Sequence, residues 1–156
     1  MGAMPRFNYT WGAYSAFDEQ GFLPPGVHDC TMNEIKARFG SFQSTDRRPQ
    51  LFAKLMAFHG EAKVAGIFRA IIVDGSFVTA KPEPNDIDLV VVVASDHDLT
   101  ADLGPAAYNI ISKKRVQRRF GFDMVAVREG TLEYDDATTF FQQVRREFAS
   151  RKGIRL

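Results

Sequence analysis

Two aspartates, Asp86 and Asp88, stand two positions apart at the start of a very apolar run, and nine residues separate the first from the dipeptide Gly75-Ser76. On a strand, side chains two apart project on the same face. Two carboxylates held that close repel unless a positive charge sits between them, and at the start of a buried strand they are costly as decoration. Mg²⁺ answers both problems, because it takes oxygen ligands and is held by one or two carboxylates together with substrate phosphates. Gly75 permits close approach of the backbone, the amides after it suit a phosphate, and the Ser76 hydroxyl adds a donor. Lys81, between the two motifs, is within reach of a triphosphate or is simply an exposed loop lysine. Phosphoryl transfer through two ions, roughly 3.5–4 Å apart, calls for a further carboxylate. Asp123, alone in an apolar stretch over residues 122–127, is the candidate.

These residues need elements to position them. Thr31 and Glu34 have capping-box spacing and start a short helix ending at Gly40. A second helix is expected over 46–64, with Pro49 in its first turn and Leu51, Leu55, Phe58 and Ala62 at helical spacing. Strands are expected over 67–73, 86–93 and 122–127, and helices over 105–119 and 136–150. Pro82 and Pro84 keep the loop before Asp86 from being helical. The 86–93 run is apolar on both faces, as an inner strand covered on both sides would be. The expected fold is α+β, a small mixed β-sheet backed by helices. Residues 1–30 read as an irregular arm, with Pro24-Pro25-Gly26 as a breaker, and residues 31–156 as one domain. The arm's Phe7, Tyr9, Trp11, Tyr14, Phe17 and Phe22 either pack on the domain or offer a ring to a nucleobase. The opening Met1-Gly2-Ala3 reads as a tag remnant before a native start at Met4.

Composition adds bounds. The chain has 156 residues, 45% hydrophobic and 25% charged, with a formal net charge of +1, so bulk charge forces neither a nucleic-acid nor a membrane partner. A single cysteine, Cys30, excludes an internal disulfide framework and suits a reducing compartment. No run is long enough to span a bilayer, and the N-terminus lacks the pattern of a signal peptide. A cytoplasmic protein is expected. His28, His59 and His97 have no zinc-like spacing.

The Gly-Ser dipeptide, the loop and the Asp-x-Asp pair opening an apolar strand together resemble the signature of the nucleotidyltransferase superfamily, the fold of DNA polymerase beta. Gly75, Ser76, Asp86 and Asp88 match its minimal bacterial and archaeal members. The stretch from Val73 to Asp88, with 21–26 and Lys152-Gly153-Ile154, is similar to a bacterial family of nucleotidyltransferase-like proteins. The resemblance implies transfer of a nucleoside monophosphate, AMP favoured, from NTP to a hydroxyl of a protein or RNA acceptor. It implies two Mg²⁺ ions with ATP as the favoured donor. Asp86, Asp88 and Asp123 would be the metal-binding catalytic residues, and Gly75, Ser76 and Lys81 would hold phosphate. Where many superfamily members carry Gly or Arg shortly after the Ser, this chain has Thr79-Ala80-Lys81, and it has little room for a separate acceptor domain. The alternatives are an antitoxin-like module that acts through a partner protein such as a toxin, and a degenerate nucleotide-binding fold.

Two basic runs remain. Lys113, Lys114, Arg115, Arg118 and Arg119 are expected at a helix C-terminus, where cations complement the dipole, or as a surface for RNA or an acidic partner. Arg145, Arg146, Arg151, Lys152 and Arg155 form the second.

Overall fold

Along the chain the elements are β1 (His28–Asp29), α1 (Met32–Arg38), α2 (Arg47–Ala65), β2 (Phe68–Asp74), a 3₁₀ turn (Ser76–Val78), β3 (Asp88–Val93), α3 (Pro105–Ile111), α4 (Lys113–Phe120), β4 (Asp123–Arg128), α5 (Leu132–Gln142) and β5 (Ile154–Arg155). This computed structural model describes residues 17–24, 27–100, 102–142 and 154–155. The expected arm rings of Phe7, Tyr9, Trp11 and Tyr14, the end of the last helix, and Arg145, Arg146, Arg151 and Lys152 lie outside the described residues.

Local sequence accounts for most boundaries. The capping box of α1 is formed: the Thr31 hydroxyl accepts from the Glu34 amide at 3.2 Å, and the Glu34 carboxylate accepts from the Thr31 amide at 2.6 Å. Helix α2 buries Leu51, Leu55, Phe58 and Ala62 and stops at Gly66, which takes the left-handed conformation. Strand β3, Asp-Leu-Val-Val-Val-Val, is buried at every position after Asp88. It is an inner strand of the sheet, antiparallel to β2 and parallel to β4. The full order is β1-β5-β2-β3-β4, with the two-residue strands β1 and β5 extending the β2 edge. The result is the small mixed sheet backed by helices that the sequence implied.

Alternation along the strands splits the core into two faces. Ile71, Val73, Leu89, Val91, Val93 and Met124 pack against Leu55, Phe58, Ile110, Val116 and Phe120 of the helices. Ile72, Val90, Val92 and Val127 face the other way, where Tyr134 and Ala137 of α5 cover them. The first face is aromatic-rich. Phe58 meets Phe120 edge-on at 5.6 Å, and Phe120 stacks on Phe122 at 5.7 Å between ring centroids. The arm joins this core, since Leu23 is buried and Phe17 packs against it. Among the described residues no helix is long and apolar enough to cross a membrane.

Three expectations are corrected. Strand β3 starts at Asp88, so Asp86 belongs to the loop and strand alternation does not aim its side chain. The expected helix over 105–119 is two helices, broken at Ser112, whose backbone turns to φ −81, ψ 111 and whose hydroxyl accepts from the Arg115 amide. That break puts Lys113, Lys114 and Arg115 in the first turn of α4, where cations oppose the helix dipole instead of complementing it. The last helix starts at Leu132, four residues early, because the Thr131 hydroxyl accepts from the Tyr134 amide at 3.3 Å.

Candidate functional site

Strand β2 ends in an acid, Asp74, and its register decides what that acid meets. Asp74 pairs with Asp88 across β2 and β3, and Asp88 pairs with Asp123 across β3 and β4. Directly opposed residues share a face and lie about 4.5–5.5 Å apart at Cβ. Three acids therefore form one row across the end of the sheet. The row grades outward: Asp74 is 1% exposed, Asp88 is half-buried, and the Asp123 side chain is 53% exposed. Like charges placed opposite each other weaken a sheet, so this row needs positive charge. The Lys113 ammonium supplies some, 3.1 Å from Asp123.

Immediately after Asp74 the chain turns at Gly75, with φ 86 and ψ −172, a conformation essentially confined to glycine. A Cβ there would lie 3.1 Å from the Asp88 amide nitrogen and 3.2 Å from both the Asp86 carbonyl and Asp88 Oδ2. The turn is thus pressed against the middle acid of the row. Gly75→Ala is expected to cost about 1–3 kcal/mol through this backbone alone. A thermal melt reads that cost, and an unshifted midpoint would mean that the turn relaxes freely.

Ser76 gathers the other side of the loop. Its hydroxyl donates to Asp86 Oδ1 at 3.0 Å and accepts from the Asn85 amide at 2.9 Å. Its amide also donates to Asp86 Oδ1, at 3.4 Å. Two donors of one residue thus converge on one carboxylate oxygen. Of the sequence-predicted residues, Gly75 and Asp88 are in close contact, Asp123 stands beside Asp88, and Asp86 is bound to Ser76. Lys81 is exposed on the loop, its amide donating to the Thr79 hydroxyl at 3.2 Å. Among the described residues no three or more His, Cys, Asp and Glu side chains are gathered closely enough to hold an ion.

Two residues that build this loop escaped the sequence reading. Arg48, 1% exposed on α2, donates to four main-chain carbonyls: Phe39, Phe77, Thr79 and Lys81. Its guanidinium also stands 5.8 Å from the Phe77 ring. Burial pulls its pKa down from the ordinary value, yet an arginine stays charged. Arg47 holds the other limb, donating to the carbonyls of Pro84 at 3.0 Å and Asn85 at 2.6 Å. Two arginines in the first turn of α2, with an acid only at the N-cap position, Asp46, run against the helix dipole. That mismatch was the signal available in the sequence. The carbonyls of residues 77–85 supply the compensating negative ends of dipoles. Asp74 was also missed, because a turn-forming Asp before Gly-Ser has a sufficient local explanation.

Elsewhere, Glu61 and Cys30 have structural roles. Glu61 and Arg119 form a two-point bridge at 2.6 Å for each bond, tying α2 to α4. That donation holds the Glu61 carboxyl below its ordinary pKa. Cys30 is a packed thiol whose pKa burial pushes up, followed by the nearby charges of Glu34 and Asp29. It is expected to resist alkylation at pH 8 in the native protein and to react on unfolding, as a thiol-labelling time course with and without urea would read. No curated protein and no solved structure matches the chain. A family model does match it over residues 15–155, and the chain belongs to that family, described as a family of unknown function (DUF6932).

Proposed function

We propose that this domain is a Mg²⁺-dependent nucleotidyltransferase, moving a nucleoside monophosphate, AMP favoured, from NTP to a hydroxyl. The observation that carries the reading is the row Asp74, Asp88 and Asp123, set in register at the sheet end where the Gly75 turn presses on Asp88. A row of acids weakens the fold and gains a purpose when a cation shares it. The donor set is all oxygen, which fits Mg²⁺. Asp88 and Asp123 of the row would hold it, with Asp86 joining them once its carboxylate leaves Ser76, and when bound it would offset phosphate charge and favour ionisation of the acceptor hydroxyl. Ser76 supports the phosphate assignment, because its amide and hydroxyl already converge on an anionic oxygen, that of Asp86. Lys81 lies on the same loop. The protein's contribution is positioning and charge stabilisation.

One observation favours a second reading, a nucleotide-binding or antitoxin-like module that works through a partner protein: Asp86 is turned to Ser76 and the acids are not drawn into one cluster. Calorimetry with Mg²⁺ and each of the four NTPs separates the enzyme from a module that binds no nucleotide, and transfer of label from NTP to a protein or RNA acceptor separates it from a module that only binds. Saturable, Mg²⁺-dependent binding by the wild type, lost in Asp86→Ala/Asp88→Ala, is the expected outcome. A well-folded wild type that binds no NTP would sink the enzyme reading and leave the partner-dependent module.

A further inference from the structure

We infer that the outer face of α4, with Tyr108 of α3, is a binding surface for single-stranded RNA that leads one end of the strand to Asp123. That the RNA is the acceptor rests on the function proposed above; that the surface binds RNA does not.

Helix α4 carries Lys113, Lys114, Arg115, Arg118 and Arg119 in eight residues, with no acid among them. Three of these cations occupy its first turn, where the dipole disfavours them, so helix stability does not explain their placement. Its apolar residues, Val116 and Phe120, are both buried. The outer face of the helix itself therefore carries charge and no apolar residue, unlike the apolar centre of a protein interface. A phosphate backbone asks for that kind of face.

The cations are also sorted by position. Arg119, at one edge, is engaged by Glu61. Lys113, at the other, reaches Asp123 at 3.1 Å and so joins the basic face to the acid row. Lys114 and Arg118, one helical turn apart, are exposed between those edges. Beside them the Arg115 guanidinium lies 5.4 Å from the Tyr108 ring, and Tyr108 is 46% exposed. An exposed aromatic ring paired with a guanidinium is a platform on which an unpaired base stacks. Duplex RNA, with its bases already stacked, has no use for it. The combination of a cationic track, a stacking ring and a route to the carboxylates selects a single strand.

The test is fluorescence anisotropy on the full chain with a labelled single-stranded RNA of about 15 nucleotides, against the same length of duplex RNA and against heparin as a bare polyanion. The expected result is tighter binding of the single strand than of either competitor. Lys114→Gln/Arg118→Gln should weaken it about tenfold and reduce the slope of log K against log salt by about 1.4. Tyr108→Ala should weaken it by roughly fivefold or more at an unchanged slope, since stacking releases no counterions. Equal binding of heparin and single strand, with Tyr108→Ala silent, would overturn the inference in favour of unspecific charge. Binding of an acidic peptide but of no RNA would overturn it in favour of a protein partner. Asp88→Asn keeps the two proposals apart: it should lose NTP binding and keep RNA binding. RNA binding absent while NTP binding persists defeats this inference alone, and the converse defeats the enzyme reading alone.

Discussion

Asp88→Asn is expected to make the free protein more stable and, at the same time, to abolish its Mg²⁺-dependent binding of nucleotide. Asp88 is the middle member of the acid row, opposed by Asp74 on one side and Asp123 on the other. Replacing it with a neutral side chain of the same shape relieves two like-charge oppositions, each of a few tenths to about 1 kcal/mol. The midpoint of thermal unfolding should rise by roughly 2–4 °C for a chain of this size. In the same variant, affinity for Mg²⁺-NTP should fall by at least about 100-fold, the range at which even outer partners of a metal site are felt. The wild type should melt higher when Mg²⁺ and NTP are added, because a ligand of the folded state stabilises it by mass action. The variant should not. Opposite signs for stability and binding are the mark of a residue kept for function. A variant that melts lower and still responds to Mg²⁺-NTP would make Asp88 a structural residue and remove the basis of the proposed site.

Arg48→Met is expected to cost about 3–5 kcal/mol, the range seen when one side of a buried charged network is removed. Its four carbonyl partners, on Phe39, Phe77, Thr79 and Lys81, would each lose a charge-assisted donor. A buried acceptor left without one costs about 1–3 kcal/mol, less where water can enter. Against a typical total of about 5–15 kcal/mol, the protein should remain folded but melt roughly 10 °C lower. Arg48→Lys should recover less than half of the loss, because a single ammonium cannot reach carbonyls on both sides of a planar fork. Urea denaturation of the three proteins measures the series. A loss under about 1 kcal/mol in Arg48→Met would mean that the loop carries its own shape and that α2 merely rests against it.

The comparison of Arg48 with Asp86 shows where sequence reasoning reaches its end. Asp86 was legible, since Asp-Ile-Asp before four valines is a conspicuous pattern with a local meaning. Its direction was not, because β3 starts two residues later and Ser76, ten residues upstream, takes the carboxylate instead. Arg48 is legible only as an oddity, a cation in a helix's first turn. Its partners at Phe77, Thr79 and Lys81 lie 29 to 33 residues further along the chain. No periodicity connects residues at that separation. The break at Ser112 has the same origin. A serine inside a helical pattern is tolerated as often as it caps, and the choice is made by what packs on either side.

By itself the sequence determined the type of every long element, the inner position of β3, the capping of α1, and the neighbourhood of Gly75, Ser76 and Asp88. These follow from local causes: alternation, helical spacing, glycine's freedom and cap chemistry. Only the tertiary structure decided that Asp74 joins Asp88 and Asp123 in one row, that Arg47 and Arg48 hold the loop between them, and that the basic helix touches the acid row through Lys113. Strand register and helix placement set those contacts, and both are fixed by the fit of two apolar faces across the whole domain, a quantity that no short stretch of chain contains.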